Sequence, residues 1–386
     1  MKILLIDPIN YTPYYNYNFL NSLLKKDLNV YLVTSIFTYD NHKIPPQINN
    51  NIIYLYNKVK YKNLFIKVLV YIYLQRDLLR FIKKNKIDIV HYIWFPVKIV
   101  DFIILLYLKK RLKIPIVYTC HNPVHHEAKF YNLFIDKILY KNVDRIISLT
   151  NFVKSEIIKL DHTSKNKIKV IAHGDFNCLL SLYKPNEELK EAIQGWKKDS
   201  PLLMYHGAIR PYKGINDLLW LFKQLRDREK KLKLILAGRP FKIHKHEIDR
   251  MIEQYNLRDS IYTDLRYVPL NFLLTYVSVS DVGLLTYKSA SQSGVVPIYY
   301  YFGVPMMVTN VGGLPEIVES GKTGYLISNI NDVDTIHKNL SDIINRRDYF
   351  KKNIKYVLRN YLDWESLGNL FVELYSKIII KDEIRD

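Results

Sequence analysis

The chain has 386 residues, of which 48% are hydrophobic and 24% charged, and it carries a formal net charge of +20. This length exceeds the ~250–300 residues at which a single core stops growing, so we expect two domains, and the composition excludes an intrinsically disordered chain. Two cysteines, Cys120 and Cys178, are too few for a disulfide framework or a cysteine-rich zinc site.

The apolar segments argue against export and against a membrane span. The apolar run at residues 3–6 ends at Asp7 and Pro8. It is shorter than the ~7–15 residues of a signal-peptide core, so we predict no export signal. The two most apolar stretches, 64–74 and 99–108, fall below the ~18–20 residues that a membrane span needs. We therefore predict a cytoplasmic protein that does not cross the bilayer.

Short apolar segments alternate with helical stretches in the first half of the chain. The first strand is predicted at 2–6, and a helical stretch at 16–26 leads to the next one. Strands that are apolar throughout and alternate with helices are typical of a parallel sheet covered on both faces. The first half is therefore predicted to be a doubly wound α/β domain. Its other strands are predicted at 29–35, 88–93, 115–121, 144–150 and 167–174.

The same alternation begins again after a polar, proline-containing stretch at 184–201. That stretch could be a surface helix inside one large domain, but the restart of the strands favours a domain boundary. We predict a first α/β domain at 1–183 and a second one, also Rossmann-like, from 184 onwards. The strands of the second domain are predicted at 202–207, 233–238, 260–265, 281–287 and 305–310.

The positive charge is concentrated in the first half. Residues 1–183 contain 27 lysines and arginines against 12 aspartates and glutamates, a net +15, whereas residues 184–386 have a net +5. This asymmetry indicates an anionic partner such as a nucleic acid, an anionic membrane surface or a phosphorylated substrate, with a solubilising surface as the alternative. Arg76, Arg80 and Lys83 recur at helical spacing. They predict a basic amphipathic helix that lies on a membrane, although its apolar face could simply pack on the sheet.

Ligands of parallel sheets bind beyond the carboxyl ends of the strands, so the segments that follow the strands are the candidate sites. The segment HGAIRPYKGI (206–215) places Gly207 at a strand end, and Arg210 and Lys213 precede a glycine and a helical sequence. Two cations and the free amides of a helix N-terminus suit a diphosphate. We predict a phosphate-binding site here, with an ordinary exposed turn as the alternative.

A second group of small residues, SASQSG, precedes the apolar segment that begins at Val295. Small side chains would let an anionic ligand approach the peptide N–H groups of Ser293, Gly294 and Val295, where we expect a helix to begin. The segment has neither the Walker Lys-Ser/Thr pair nor the G-x-G-x-x-G spacing, so it supports neither an NTPase nor a dinucleotide enzyme.

The segment VGGLPE (311–316) contains two glycines, a proline at a predicted first helical position, and Glu316 just after it. The carboxylate of Glu316 could accept hydrogen bonds from a sugar hydroxyl. Its alternative role is to cap the helix through backbone amides.

Four motifs follow one another in the second half: HGAIRPYKG, LAGRP, SDVGLLTYKSASQSGVV and FGVPMMVTNVGGLPEIVESGKTGYLI. In this order they resemble the nucleotide-binding domain of GT-B glycosyltransferases, specifically the large retaining family 4. The resemblance is strong over residues 202–327 and weaker over 1–183, where YTCHN and VIAHGDF resemble the strand-end histidine segments of that family. It implies two Rossmann-like domains facing across a cleft, the second at 184–361, and a C-terminal helix at 362–386 that crosses back to the first domain.

The resemblance also implies roles for individual residues. Arg210 and Lys213 would stabilise the leaving diphosphate without a metal, and His121 would contact the donor sugar or position the acceptor. His173 is a weaker candidate for a similar role. Transfer would proceed with retention of anomeric configuration. The nucleotide sugar would be bound by Gly207, Arg210, Lys213, Gly238, Arg239, Ser291, Ser293, Gly294, Val295 and Glu316.

One departure from the family pattern concerns two glutamates that usually stand eight residues apart. The corresponding positions fall near Ser291 and at Ile298 or Tyr299, and none of these residues is acidic. The S-x-S-G-V sequence resembles a variant within the superfamily. We therefore expect altered contacts to the donor, with loss of activity as the alternative.

The segment HNPVHHE (121–127) offers His121, His125, His126 and Glu127 as possible metal ligands. Its spacing lacks H-E-x-x-H and its proline breaks a helix, so we predict no metal site. The expected donor is a nucleotide sugar, with UDP preferred and GDP possible.

The expected acceptor is a glycan linked to lipid, and we expect the enzyme to attach peripherally to the inner face of the plasma membrane. A nucleotide-sugar epimerase of the same fold and a basic nucleic-acid-binding protein are the alternatives. Nucleic acid is not the predicted partner, because the sheets are expected to be covered by helices rather than to expose stacking aromatic residues.

Overall fold

The computed structural model describes residues 1–37, 43–58, 63–123 and 130–383. The chain divides into two compact units. Unit 1 comprises Met1–Leu179 together with Tyr361–Asp386, and unit 2 comprises Leu180–Asn360. Each unit is built around one parallel sheet with helices between successive strands.

Unit 1 contains a seven-stranded sheet in the order β3-β2-β1-β4-β5-β6-β7, and all its strand pairs are parallel. The chain first adds strands on one side of β1 and then returns to add the others next to β4. Ligands of doubly wound sheets bind at such a reversal, beyond the carboxyl ends of the strands. The strands are β1 (Lys2–Asp7), β2 (Asn29–Thr34), β3 (Ile52–Ile53), β4 (Ile89–Tyr92), β5 (Ile116–Cys120), β6 (Arg145–Ser148) and β7 (Ile168–Val170).

Helices cover both faces of this sheet. The described helices of unit 1 are α1 (Pro13–Leu24), α2 (Leu64–Asn85), α3 (Lys98–Arg111), α4 (Phe130–Asn142), α5 (Asn151–Leu160), α6 (Asn177–Leu180, ending at the unit boundary) and α14 (Trp364–Glu383). Helices α2 to α5 share one hydrophobic core with alternate strand residues such as Leu4 and Ile6. On the other side α14 packs against α1, where the rings of Phe19 and Phe371 lie 4.3 Å apart.

The sheet of unit 2 has six parallel strands in the order β10-β9-β8-β11-β12-β13. Its order reverses between β8 and β11, which are neighbours. The strands are β8 (Leu202–His206), β9 (Lys233–Ala237), β10 (Ile261–Asp264), β11 (Val282–Leu285), β12 (Met306–Thr309) and β13 (Gly324–Ile327). The helices are α7 (Glu187–Lys197), α8 (Ile215–Arg228), α9 (Lys245–Gln254), α10 (Leu270–Ser278), α11 (Val296–Tyr301), α12 (Val333–Asn345) and α13 (Arg347–Asn360).

The predicted fold class, doubly wound α/β with two sheets, is confirmed, and each predicted strand coincides with an observed one. Two strands were not predicted, β3 and β13. The polar stretch at 184–201 contains the helix α7, which buries Ile193. The helix expected from Pro315 is only a 3₁₀ turn at Leu314–Glu316, and the chain then turns towards β13.

Strand β13 begins at a glycine for a packing reason. A Cβ at Gly324 would lie 1.8 Å from the carbonyl oxygen of Met306 on the neighbouring strand β12. Only a residue without a side chain allows this approach of the two backbones. Among the helices of the described ranges, none combines the length and the apolar composition that a membrane span requires.

Candidate functional site

The carboxyl ends of β8 and β9 in unit 2 meet at two glycines. The amide of Gly207 donates a hydrogen bond to the Ala237 carbonyl at 3.1 Å. A Cβ at Gly238 would lie 1.9 Å from the Gly207 carbonyl oxygen, and the φ of Gly238 is +145°, which side chains rarely adopt. The two predicted glycines therefore form one surface of bare backbone at the carboxyl ends of β8 and β9, and β8 borders the point where the sheet order reverses.

Lys213 lies next to this surface. It ends the 3₁₀ turn Pro211–Lys213, and Gly214, with a φ of +66°, connects that turn to α8. The Lys213 Nζ atom donates to the Tyr287 hydroxyl at 3.0 Å, and it lies 3.1 Å from where a Cβ on Gly207 would be. Lys213, Gly207 and the strand end at Tyr287 are thus brought together, as the sequence predicts for the first two.

The charge of Lys213 is not neutralised by a carboxylate. Within the described ranges, no carboxylate oxygen of an aspartate or glutamate lies within 4.0 Å of the Lys213 Nζ atom, so this residue forms no ion pair there. Burial lowers the pKa of the Lys213 ammonium below its ordinary value, and the positive charge of Arg210 lowers it further while Tyr212 opposes the shift. A half-buried cation that lacks a counter-ion favours binding of an anion.

Two further cations stand on one aromatic ring. The guanidinium carbons of Arg210 and Arg239 each lie 5.1 Å from the ring centroid of Phe241. The amide of Ile209 also donates to the Arg239 carbonyl at 2.9 Å, which holds the loops after β8 and β9 together. Phe241, which the sequence analysis missed, therefore orients the two predicted arginines.

The small-residue segment after β11 lies beside the same glycine. Ser291 and Ser293 are buried, and the Val295 amide donates to the Ser293 Oγ atom at 3.3 Å just before α11. A Cβ on Gly207 would lie 3.6 Å from the Val295 Cγ2 atom. Gly294 is half-buried between them. The structure thus brings these four residues to the end of the sheet where Lys213 lies.

The two glycines of VGGLPE hold this segment in place. A Cβ on Gly312, whose φ is +57°, would lie 1.6 Å from the Ala290 carbonyl, and the Gly313 amide donates to that carbonyl at 3.1 Å. Glu316 follows on the 3₁₀ turn and is exposed. The turn therefore places Glu316 on the loop that supports the small-residue segment.

The positions that usually carry the paired glutamates are buried. Ser291 is 4% exposed, Ile298 is 4% exposed and Tyr299 is fully buried. The Tyr299 hydroxyl donates to the Met204 carbonyl at 2.9 Å, so this side chain connects α11 to β8. The residues at the expected position of the second glutamate therefore fill the core.

His206 is a candidate that sequence reasoning missed, although it precedes Gly207 in the quoted motif. It is 5% exposed, its ring lies 5.2 Å from that of Tyr299, and its Nδ1 atom has no hydrogen-bond partner in the described parts of the chain. Burial lowers the pKa of His206 to about 3, and the charge of Lys213 contributes. His206 is therefore neutral at pH 7.

In unit 1, the ends of β5 and β7 bring His121 and His173 together. Their rings lie 6.1 Å apart, and Tyr15 contacts both of them at 5.1 Å. His121 also stacks on Trp94, which follows β4, at 4.8 Å with an interplanar angle of 9°. Tyr15 and Trp94 were missed as site residues because neither stands in a motif with recognisable chemistry.

These two histidines are buried and neutral. His121 is 1% exposed, and neither of its ring nitrogens has a partner among the described residues. Burial holds the pKa of His121 well below its ordinary value, with His173 and His91 adding to the effect. Burial also lowers the pKa of His173 to about 4, against the opposing influence of the Gly174 backbone. A neutral imidazole offers one donor and one acceptor, which suits a hydroxyl rather than a phosphate.

The possible metal ligands His125, His126 and Glu127 lie outside the described residues. In the ranges that the structure describes, no group of three or more histidine, cysteine, aspartate or glutamate residues is placed to hold a metal ion.

Comparisons with known proteins assign the class. The family model Glycosyltransferase Family 4 matches residues 14–174, and the model Glycosyl transferases group 1 matches residues 186–359. HepE from Anabaena, solved in complex with UDP and glucose, has the same fold with a TM-score of 0.74 at 15% identity, covering 98% of this chain and all of that one. The fold and both matches define a GT-B glycosyltransferase.

This chain is a glycosyltransferase whose N-terminal part matches Glycosyltransferase Family 4 and whose C-terminal part matches the glycosyl transferases group 1. An uncharacterised 41.2 kDa protein in the cps region of Klebsiella pneumoniae is 25% identical over 315 residues, which is 77% of this chain and 83% of that protein. The capsular polysaccharide biosynthesis glycosyltransferase CapM of Staphylococcus aureus is 23% identical over 63% of this chain and 65% of its own length.

Proposed function

We propose that this glycosyltransferase takes a sugar from a nucleoside diphosphate sugar that binds to unit 2, and that Lys213 and Arg210 bind the diphosphate. The observation that carries the proposal is the half-buried ammonium of Lys213, which has no carboxylate partner in the described ranges and lies next to the bare backbone of Gly207. A diphosphate supplies the missing negative charge, and the glycines leave room for it.

The same residues would favour the chemistry. Cleavage of the donor leaves negative charge on the diphosphate, and fixed cations lower the barrier when they are aimed at charge that develops in the transition state. Lys213, Arg210 and Arg239 could supply this charge without a metal. Ser291, Ser293, Gly294 and Val295 would contact the donor, together with Gly238, and Glu316 would accept a hydrogen bond from a sugar hydroxyl.

His121 would act on a different part of the substrates. Its neutral ring and unpartnered nitrogens suit a hydroxyl of the donor sugar or of the acceptor, and its stacking on Trp94 fixes the plane of the ring. We assign acceptor binding to unit 1 and donor binding to unit 2. We propose transfer with retention of configuration, in keeping with the retaining family that the motifs resemble.

The donor nucleotide and the acceptor are proposed from the relatives. HepE was solved with UDP and glucose, which favours UDP over GDP. The names of CapM and of a Salmonella typhimurium lipopolysaccharide 1,2-N-acetylglucosaminetransferase favour a surface polysaccharide, capsule or lipopolysaccharide as the product. The net charge of +15 on residues 1–183 favours peripheral attachment to the inner face of the plasma membrane and an acceptor linked to lipid.

A thermal-shift screen of UDP-, GDP- and ADP-sugars tests the donor proposal. A ligand that binds only the folded state raises the melting temperature, and we expect the largest rise with UDP-sugars. The rise should shrink in Arg210→Ala and Lys213→Ala. If both variants keep the nucleotide affinity of the wild type, the diphosphate does not bind at these residues.

Chelation tests the absence of a metal from the reaction. We expect turnover to survive EDTA, because side chains supply the charge that a cation supplies in metal-dependent transferases. Loss of activity with EDTA that is restored by manganese or magnesium would contradict this.

A further inference from the structure

Three neighbouring helices of unit 1 expose large apolar side chains on the sides that face away from the sheet. The exposed fraction is 70% for Phe65, 50% for Leu69 and 47% for Ile72 on α2, 64% for Ile99 and 60% for Ile103 on α3, and 63% for Phe134 on α4. We call these six residues the outer apolar face. Single exposed apolar residues are ordinary on protein surfaces, but a group on adjoining helices marks an interaction site.

These helices already bury another apolar face. Tyr71, Leu74 and Leu78 of α2 are at most 4% exposed and pack in the core beneath the sheet. The Tyr71 hydroxyl donates to the Asp101 Oδ1 atom at 2.5 Å, which joins α2 to α3. The first half of α2 is therefore apolar on its inner and its outer side. A helix that is apolar all round is expected in the interior of a protein or in contact with lipid.

The outer side of α2 changes from apolar to basic along its length. Residues 65, 69, 72, 76 and 80 follow one another at intervals of three or four and so share one side of the helix. The side chains of Arg76 and Arg80 are 51% and 66% exposed. Lys83, one turn further, donates to the Tyr107 hydroxyl of α3 at 2.9 Å. A row of cations thus borders the outer apolar face.

We propose that the outer apolar face inserts into the interfacial layer of a bilayer that contains anionic lipid, while Arg76, Arg80 and Lys83 contact the headgroups. Apolar residues beside cations match the two layers of such a surface. A symmetric dimer through the same face would place two copies of this basic row in one interface, which like charges disfavour. This proposal rests on the peripheral membrane attachment proposed above. It adds the residues that contact the bilayer and the way they do so, by insertion of apolar side chains beside cations.

The mode differs from adsorption by charge alone in its response to salt. Salt screens the contacts of exposed cations, whereas the burial of apolar side chains is not weakened by it. As the salt concentration rises, the fraction of protein bound to anionic vesicles should therefore fall to a plateau above zero. If the protein adsorbed by charge alone, the bound fraction would fall to zero.

The test is co-sedimentation of the full chain with phosphatidylcholine vesicles, with and without phosphatidylglycerol, at low and high sodium chloride. The apolar variant is Leu69→Gln, Ile72→Gln and Ile103→Gln, exposed sites where glutamine preserves the helix. The charge variant is Arg76→Gln, Arg80→Gln and Lys83→Gln. The matched control replaces three exposed apolar residues elsewhere, Tyr356, Tyr361 and Ile380, with glutamine.

We expect the apolar variant to bind about thirtyfold or more weakly at every salt concentration, because each lost side chain removes buried apolar area. The charge variant should lose its preference for phosphatidylglycerol, about fivefold per cation, and keep the salt-resistant part. The control should bind like wild type.

Three results would overturn the proposal: binding of the apolar variant equal to wild type, no vesicle binding by wild type at low salt, or a wild-type dimer in sedimentation velocity that the apolar variant abolishes. The rise in melting temperature with UDP is measured on the same samples. If that rise persists while vesicle binding is lost, membrane docking and donor binding are separated.

Discussion

The carboxyl ends of the two sheets carry opposite kinds of chemistry on the same topology. In unit 2 the strand ends present bare backbone at Gly207 and Gly238 beside the cation Lys213. In unit 1 they present His121, which stacks on Trp94. Burial keeps the pKa of His121 well below its ordinary value. The fold places both groups beyond the carboxyl ends of parallel strands, but only the residues after the strands decide whether the site suits an anion or a neutral hydroxyl.

The difference also separates two requirements of glycosyl transfer. A charged leaving group is stabilised by fixed positive charge. The hydroxyl groups of an acceptor or a donor sugar instead require hydrogen-bond donors and acceptors. If this division holds, removal of a cation from the site in unit 2 should change nucleotide affinity and turnover together. Substitutions in unit 1 should change turnover alone.

The largest effect is expected for Lys213→Ala. Loss of its charge should lower kcat/KM about 10²–10³-fold, by analogy with the loss of one donor to a developing anion. Nucleotide binding should weaken by about 1.5–3 kcal/mol, the value of a charge-assisted hydrogen bond. Steady-state kinetics and calorimetry measure both. Lys230→Ala, at an exposed residue paired with Asp227, is the control and should leave both unchanged.

His121→Phe should show the other half of the division. The phenyl ring keeps the stacking on Trp94 but removes both nitrogens, so we expect kcat to fall about 10–100-fold. The UDP-dependent rise in melting temperature should stay that of wild type, and His121→Asn should restore part of the activity. A comparable loss of nucleotide binding in the phenylalanine variant would mean that unit 1 takes part in binding the nucleotide.

The pH dependence of nucleotide binding should follow Lys213. A diphosphate prefers the protonated lysine, and burial lowers the pKa of this ammonium in the free protein. Affinity should therefore fall as pH rises, and it should begin to fall at a lower pH than an ordinary lysine would allow. Calorimetry above pH 7.5 avoids titration of the nucleotide. Lys213→Arg should remove the decline, because a guanidinium stays protonated throughout the range.

The smallest effect is expected for Phe241→Leu. The guanidinium carbons of Arg210 and Arg239 each lie 5.1 Å from the centroid of the Phe241 ring. An exposed cation–π contact contributes about 0.5–1 kcal/mol to binding or stability. The dissociation constant for UDP should rise about two- to fivefold at unchanged kcat, since the arginines keep their charge. A rise as large as that for Lys213→Ala would mean that the ring itself contacts the nucleotide.

Residues close in sequence to a strand end could be predicted, but their partners from other strands could not. HGAIRPYKG identifies Gly207, Arg210 and Lys213 because the apolar run of β8 ends there. Tyr287, the hydrogen-bond partner of Lys213, lies 74 residues further on. It reaches Lys213 because β11 pairs with β8, and the order of strands in a sheet is not written in the apolar pattern of either strand.

The outer side of α2 shows a second limit. Its periodicity indicates a helix with Arg76, Arg80 and Lys83 on one side, and the structure has that helix. The alternative, that the apolar residues of this helix simply pack on the sheet, does not hold for Phe65, which is 70% exposed. Since the first half of α2 is apolar on both sides, the spacing of its apolar residues does not indicate which side faces the core. Strand β3 was missed because it has only two residues, and β13 because it begins with a glycine and its apolar run covers only residues 325–327.

The return of the last segment to unit 1 has a consequence for how the protein is made. Trp364 donates to the Asp175 carbonyl at 2.7 Å, and its ring occupies the space that a side chain at Gly174 would need. Tyr375 closes the far end of the same interface with a 2.6 Å hydrogen bond to His91. On the ribosome, residues 180–360 are complete before this segment emerges. Unit 2 can therefore fold during synthesis, whereas unit 1, although it is started first, must wait with Phe19 uncovered until α14 is released from the exit tunnel.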